Sequence, residues 1–190
     1  MTIRIDGHNL TVEDVIRVCR YGEKVELTEG AKIDINRARD YVEDKLAKDA
    51  VIYGLTTGFG RFASVRISQE ETAQLQKNLI MSHTCAMGDP YPEHYVRAAM
   101  LLRCNALASG YSGIRLSTVQ TLVDMLNADI IPVVPEKGSV GSSGDLAPLS
   151  CIALGLIGLG KVRYKGSVVE AAEAFADAGL EPVELAAKEG

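Results

Sequence analysis

The chain has 190 residues, 47% of them hydrophobic and 24% charged, with a formal net charge of −5, enough apolar length to bury a substantial core as one or two domains. That acidic balance argues against a nucleic-acid surface. The four cysteines, Cys19, Cys85, Cys104 and Cys151, have no Cys-x-x-Cys spacing, so they read as buried or incidental thiols of a reducing compartment.

Residues 2–9 alternate with polar side chains and do not resemble a signal peptide, which makes a cytoplasmic location the expectation. The alternation of residues 3–10 around Asp6-Gly7 predicts an opening β-hairpin with a two-residue turn. Thr11 followed three residues later by Asp14 has the form of a capping box and predicts a helix to about Arg20. A short strand is expected over Lys24 to Leu27. An amphipathic helix is expected over 31–50, with Ile33, Ile35, Ala38, Tyr41, Val42, Leu46 and Ala47 apolar among many charges.

Periodicity breaks at residues 51–60, where Gly54, Gly58 and Gly60 fall within seven residues, the composition of a tight, irregular loop whose backbone can approach a ligand closely. Taken alone, Tyr53 in this loop reads as a core tyrosine. A helix predicted over 68–81 delivers Ser82 and His83 at its C-terminal end, where a histidine suits the helix dipole. His83 and Cys85 have no second pair to complete a metal site, and His8 and His94 match no metal motif and are expected on the surface.

After Gly88-Asp89-Pro90 a long helix is expected over 92–108, with Asn105 bracing a buried loop, then a second helix over 117–127. Residues 130–134 are extended and proline-rich. They lead into Gly-Ser-Val-Gly-Ser-Ser-Gly-Asp-Leu-Ala-Pro-Leu at 138–149, where Asp145 opens an apolar run from Leu146 to Leu159. That run is too short and too glycine-rich to span a bilayer. Lys165-Gly166 predicts a hairpin between 162–164 and 167–169, Gly179 closes a short helix over 170–178, and residues 184–189 read as the start of another helix.

The serine-and-glycine loop supports two readings. One is an ordinary loop and helix cap, or an anion cradle of backbone N–H groups at a helix N-terminus. The other is backbone cyclisation. In that case the Gly144 amide nitrogen, unhindered by a Cβ, attacks the Ser142 carbonyl, and Ser143 loses its hydroxyl to become a dehydroalanine.

Residues 138–149, preceded by Pro135-Glu136-Lys137, resemble the signature of the aromatic amino acid ammonia-lyases. Similar segments are Tyr53-Gly-x-x-Thr-Gly-Phe-Gly60, Asn78 to His83 and Arg103 to Leu107, so the resemblance extends over nearly the whole chain. It implies that Ser142, Ser143 and Gly144 form the electrophilic prosthetic group 4-methylideneimidazol-5-one (MIO), with Ser142 where alanine is usual and no metal required. It also implies that Tyr53 is the general base, that Gly60 and Asp145 support their loops, and that Ser82-His83 lines the side-chain pocket. In the family Ser-His at this place goes with members acting on histidine, His-Leu with those acting on tyrosine and Phe-Leu with those acting on phenylalanine. The implied reaction is elimination of ammonia from L-histidine to give urocanate.

The resemblance further implies that residues 1–190 are the N-terminal, MIO-bearing domain of a longer homotetrameric enzyme with a C-terminal helical bundle, and that this portion alone is inactive. The expected fold is mainly α with two small β-hairpins. The alternatives are a tyrosine or phenylalanine lyase, an aminomutase of the same family, or a non-catalytic helical interaction module that keeps the loop as a structural turn.

Overall fold

The computed structural model describes residues 2–48, 52, 55, 57, 69–140 and 146–190, and over residues 69–72 only the backbone. Tyr53, Gly60, Ser142, Ser143, Gly144 and Asp145 lie outside the described residues.

The chain opens as a strand, β1 (Thr2–Ile5), a helix, α1 (Val12–Tyr21), and a strand, β2 (Lys24–Leu27). The expected hairpin at Asp6-Gly7 is absent, because β1 pairs parallel with β2 in the register Thr2 to Lys24 and Ile5 to Leu27. The Asp6 carboxylate instead accepts from the backbone amides of His8 and Asn9 at 2.9 Å each, turning the chain toward α1. The Gly7 amide donates to Asn105 Oδ1 at 3.0 Å, so Asn105 braces a loop as expected. Ile3, Ile5, Val25 and Leu27 alternate into the core. The Asn127 side-chain amide pairs with both backbone groups of Val25 at 2.8 Å, extending the two-stranded sheet like a short third strand.

The capping box at the start of α1 forms, with Thr11 and Asp14 satisfying each other's amides, and Gly22 ends the helix in the left-handed conformation. Thr28 caps α2 (Glu29–Ala47). Then follow α3 (Gln69–His83), β3 (Met87–Pro90), α4 (Glu93–Ala108), α5 (Leu116–Asn127), β4 (Ile131–Pro132), β5 (Pro135–Lys137), α6 (Ala147–Leu156), β6 (Lys161–Tyr164), β7 (Ser167–Glu170) and α7 (Ala171–Ala178).

The predicted hairpin at Lys165-Gly166 forms between β6 and β7, both turn residues at positive φ (49° and 78°), the requirement of a tight two-residue turn. The expected helix at 184–189 does not form. The chain there is irregular, with Lys188 at φ 75°, because the Glu189 side chain is drawn inward.

The core is organised on α4, where Val96, Met100, Leu101, Cys104, Leu107 and Ala108 are spaced three and four apart and buried. They join the apolar faces of α5, α6 and α7 in one cluster that includes Ile131, Ile152 and the fully buried Phe175. Each large apolar side chain so buried stabilises the fold by about 1.5–3 kcal/mol relative to exposure. A second, smaller cluster joins Val42, Leu55 and Ala187, flanked by Leu46 and Ile52.

Candidate active site

Helix α3 ends at the Ser82-His83 pair, and both residues are exposed. Ser82 Oγ donates to the Leu79 carbonyl at 2.8 Å, and His83 Nδ1 lies 2.9 Å from the same oxygen and 3.0 Å from Ser82 Oγ. A carbonyl can only accept, so this contact is a hydrogen bond in the tautomer that carries its proton on Nδ1. In that tautomer Nε2 keeps its lone pair, available to accept a hydrogen bond from a ligand.

Both flanks of residues 141–145 meet the chain just beyond His83. β3 and β5 pair antiparallel, Met87 opposite Lys137. A Cβ placed on Gly138 would fall 2.9 Å from the Ala86 Cα and Cβ and 3.2 Å from the Ala147 Cβ. Ala86, Gly138 and the first residue of α6 therefore touch, and only glycine fits at 138. Helix α6 packs on α3. Its N-terminus carries no side-chain cap, and Pro148 lies in its first turn. The positive end of its dipole thus lies at Leu146 and Ala147, which follow residues 141–145 in the sequence, and it favours negative charge.

Cys85 and Cys151 flank the same junction. Burial and the neighbouring Cys85 sulfur both push the Cys151 thiol up from its ordinary value, and burial pushes Cys104 up to about 12. Among the described residues no group of three His, Cys, Asp or Glu side chains could hold a metal. No described helix is long and apolar enough to cross a membrane.

On the other side, Ile52 and Leu55 precede and follow Tyr53 in the sequence. The Leu55 amide donates to the Ile52 carbonyl at 3.1 Å, and Leu55 packs on Val42 and Ala187. His8 is exposed as expected, whereas His94 is half-buried against the Tyr95 ring. A cleft of about 620 Å³ lies elsewhere, between the end of α1, α4 and the β6–β7 hairpin. Three of the cations lining it are engaged: Arg97 with Asp129 and the Val18 carbonyl, Arg163 with the Tyr91 carbonyl, and Lys165 with Asp177.

Four residues that the sequence did not single out converge on the irregular segment 184–190. Buried Arg39 donates to the carbonyls of Ala187 (2.9 Å) and Gly113 (3.2 Å). The Glu189 side chain, 0% exposed, accepts from the Arg115 backbone amide and Nε (2.9 and 3.0 Å), Arg115 Nη2 (2.6 Å), Thr118 Oγ1 (2.9 Å) and the Ala186 amide (2.8 Å). Burial alone would raise its pKa, but the Arg115 guanidinium and the two backbone amides outweigh it and hold the carboxyl below its ordinary value. The amides of Glu189 and Gly190 in turn donate to Gln76 Oε1 on α3, at 3.1 and 2.6 Å. No local pattern in the sequence signals this network, because its hydrogen-bonded partners are up to 148 residues apart.

A family profile described as aromatic amino acid lyase matches residues 10–190. The histidine ammonia-lyase of Caldanaerobacter subterraneus subsp. tengcongensis is 54% identical over 186 residues, covering 98% of this chain and 37% of that protein. The crystal structure of histidine ammonia-lyase from Trypanosoma cruzi superposes with a TM-score of 0.92 at 34% identity, over 100% of this chain and 36% of that one. Ergothionase from Treponema denticola superposes with a TM-score of 0.95 at 30% identity, over 100% of this chain and 38% of that one. The fold is thus the ammonia-lyase architecture in its N-terminal part, mainly helical with short strands. The chain belongs to the aromatic amino acid lyase family. It spans about 37% of the length of the curated relatives it matches.

Proposed function

We propose that the full-length protein eliminates ammonia from L-histidine to give urocanate, with residues 1–190 contributing the electrophilic loop, the base and the side-chain pocket. The observation that carries this reading is the contact of Gly138 with both Ala86 and Ala147. It brings the His83 end of α3 against both flanks of the 142–144 tripeptide. MIO formed from Ser142, Ser143 and Gly144 would supply an electrophile for the substrate amine, which improves nitrogen as a leaving group.

The remaining work falls to ordinary side chains. Tyr53 removes the proton from the substrate β-carbon. A phenol titrates near 10, so it must act beside cationic or dipolar groups that favour phenolate. His83, fixed through Nδ1, accepts the substrate's imidazole N–H at Nε2. The N-terminus of α6 stabilises negative charge developing at the loop. The site of the full protein forms in a homotetramer, with residues outside 1–190 completing it.

The test is intact-mass and peptide-mass measurement of the full-length protein together with histidine turnover followed by urocanate absorbance. A deficit of two waters on the peptide containing Ser143, lost in Ser143→Ala together with turnover, is expected. An unmodified peptide in a protein that still converts histidine refutes the cofactor, and turnover of phenylalanine or tyrosine in preference to histidine refutes the substrate.

A further inference from the structure

The irregular segment 184–190 touches both sides of the candidate site, and Glu189 decides where it lies. Burying a carboxylate against an arginine seldom adds stability over an apolar packing of the same volume, and its best-attested use is to fix register. Here the register concerns two successive backbone amides, those of Glu189 and Gly190, which hold α3 from the side through the Oε1 of Gln76, itself only 2% exposed. A Cβ on Gly190 would fall 2.7 Å from the Gln76 carbonyl oxygen and 2.8 Å from its Cα, so the segment lies directly on the helix backbone. His83 follows Gln76 by seven residues, about 10 Å along the helix. On the opposite side, Ala187 shares one buried cluster with Val42 and with Leu55, two residues after Tyr53 in the sequence, while Arg39 holds the Ala187 carbonyl.

We propose that Glu189, held by Arg115 and Thr118, is a positioning residue that locks the Ser82-His83 end of α3 and the Leu55 end of the Tyr53 loop into one frame. One arm runs through Gln76 and Gly190 to the pocket, and the other through Ala187 to the loop of the base. The kinetic consequence rests on the histidine-lyase reading. In that reading the first arm governs how well the imidazole is held, and the second how well the base is aimed.

The two arms are separable in the full-length protein. Misplacing a catalytic group by 1 Å costs on the order of 100-fold, so a fraction of that displacement is expected to cost about 10-fold. Gln76→Met, which removes the acceptor at similar volume, is expected to raise the KM for histidine by about 10-fold with kcat within about 2-fold. Gly190→Ala is a second perturbation of the same arm with the same expected split. Ala187→Gly is expected to lower kcat by about 10-fold and leave KM within about 2-fold. Phe175→Leu, in the main core, lowers Tm and leaves both constants unchanged.

Hydrogen exchange provides a readout independent of turnover: the amides of residues 77–83 exchange faster in Gln76→Met and Gly190→Ala and not in Phe175→Leu. The proposal is overturned if both α3-arm variants lose Tm while KM and the exchange of residues 77–83 stay at the parent values. If the parent protein does not convert histidine at all, the lyase reading fails and exchange alone decides the latch. Faster exchange at 77–83 then retains it, and unchanged exchange overturns it.

Discussion

Glu189→Gln tests the polar junction because every atom facing the carboxylate is a donor. Oε1 takes the Arg115 amide, its Nε and the Thr118 hydroxyl, and Oε2 takes Arg115 Nη2 and Nε and the Ala186 amide. A glutamine must turn its NH₂ toward one of these sets. The cheaper orientation puts it at the Oε1 position, where the Thr118 hydroxyl can rotate to accept, and leaves the Arg115 backbone amide without an acceptor. An unpaired buried amide costs about 1–3 kcal/mol. Loss of the charge-assisted bonds adds less than their full value, because the Arg115 side chain is 35% exposed and water screens it. The sum is about 2–4 kcal/mol, or about 4–16 °C in Tm at the 2–4 °C per kcal/mol usual for 150–250 residues.

The pH dependence has a definite sign. The folded carboxyl lies below its ordinary 4.5, so its contribution is complete above the unfolded value and lost as the pH falls through the folded one. Thermal unfolding of parent and variant at pH 7 and at stepwise lower pH is the assay. The gap between the two should be constant from neutrality to about pH 5 and close below the ordinary glutamate range. A gap under about 0.5 kcal/mol at pH 7, the scatter of ordinary surface substitutions, refutes the assignment.

Two glycines of similar φ should respond differently. A Cβ added at Gly110 (φ 74°) would fall 2.7 Å from the Asp34 carbonyl carbon, whereas one at Gly166 (φ 78°) would meet open space, so Gly110→Ala is expected to cost about 3 kcal/mol or more and Gly166→Ala about 1 kcal/mol. Equal losses in urea unfolding would contradict the close approach. Among the thiols, Cys85 is exposed while Cys104 and Cys151 are buried with raised pKa values. Iodoacetamide at pH 8 should therefore label Cys85 well before those two, which become reactive only on denaturation, and peptide mapping that finds Cys104 labelled first refutes the burial.

Local signals proved legible where their determinants lie within a few residues. The Thr11–Asp14 box, Gly179 at a helix end, and Lys165-Gly166 between β6 and β7 all act as their chemistry requires. Asp6-Gly7 has equally good turn chemistry but does not make a hairpin, because its groups are claimed from a distance. Gly7 bonds Asn105, and the Ile5 carbonyl accepts from the Thr28 amide. Alternating Ile3, Ile5, Val25 and Leu27 would suit either strand direction, so the pattern alone does not select the parallel pairing. Residues 184–189 have helical composition, yet one buried carboxylate diverts them. The pairing of β3 with β5, which brings the His83 end of α3 to the flanks of residues 141–145, also went unread, since Met87–Pro90 and Pro135–Lys137 contain two prolines and no apolar alternation.

The last two of these misses fall where the candidate site is assembled, and the packing explains why. Among the described residues the main cluster holds 29 buried apolar side chains and the second only three. The flanks of the proposed electrophilic loop rest on the large cluster through Val134, Cys151 and Ile152, while Leu55 rests on the small one. Three buried side chains resist local opening weakly, since opening costs scale with the apolar contacts broken. The loop carrying the proposed base therefore needs another hold. Segment 184–190 supplies it with directional bonds from Arg39, Arg115 and Gln76, which tie α2, α3 and α5 to one stretch of backbone. Apolar patterning encodes the large core and is readable residue by residue, whereas a polar strap assembled from positions 39, 76, 115 and 189 is specified only by the completed fold.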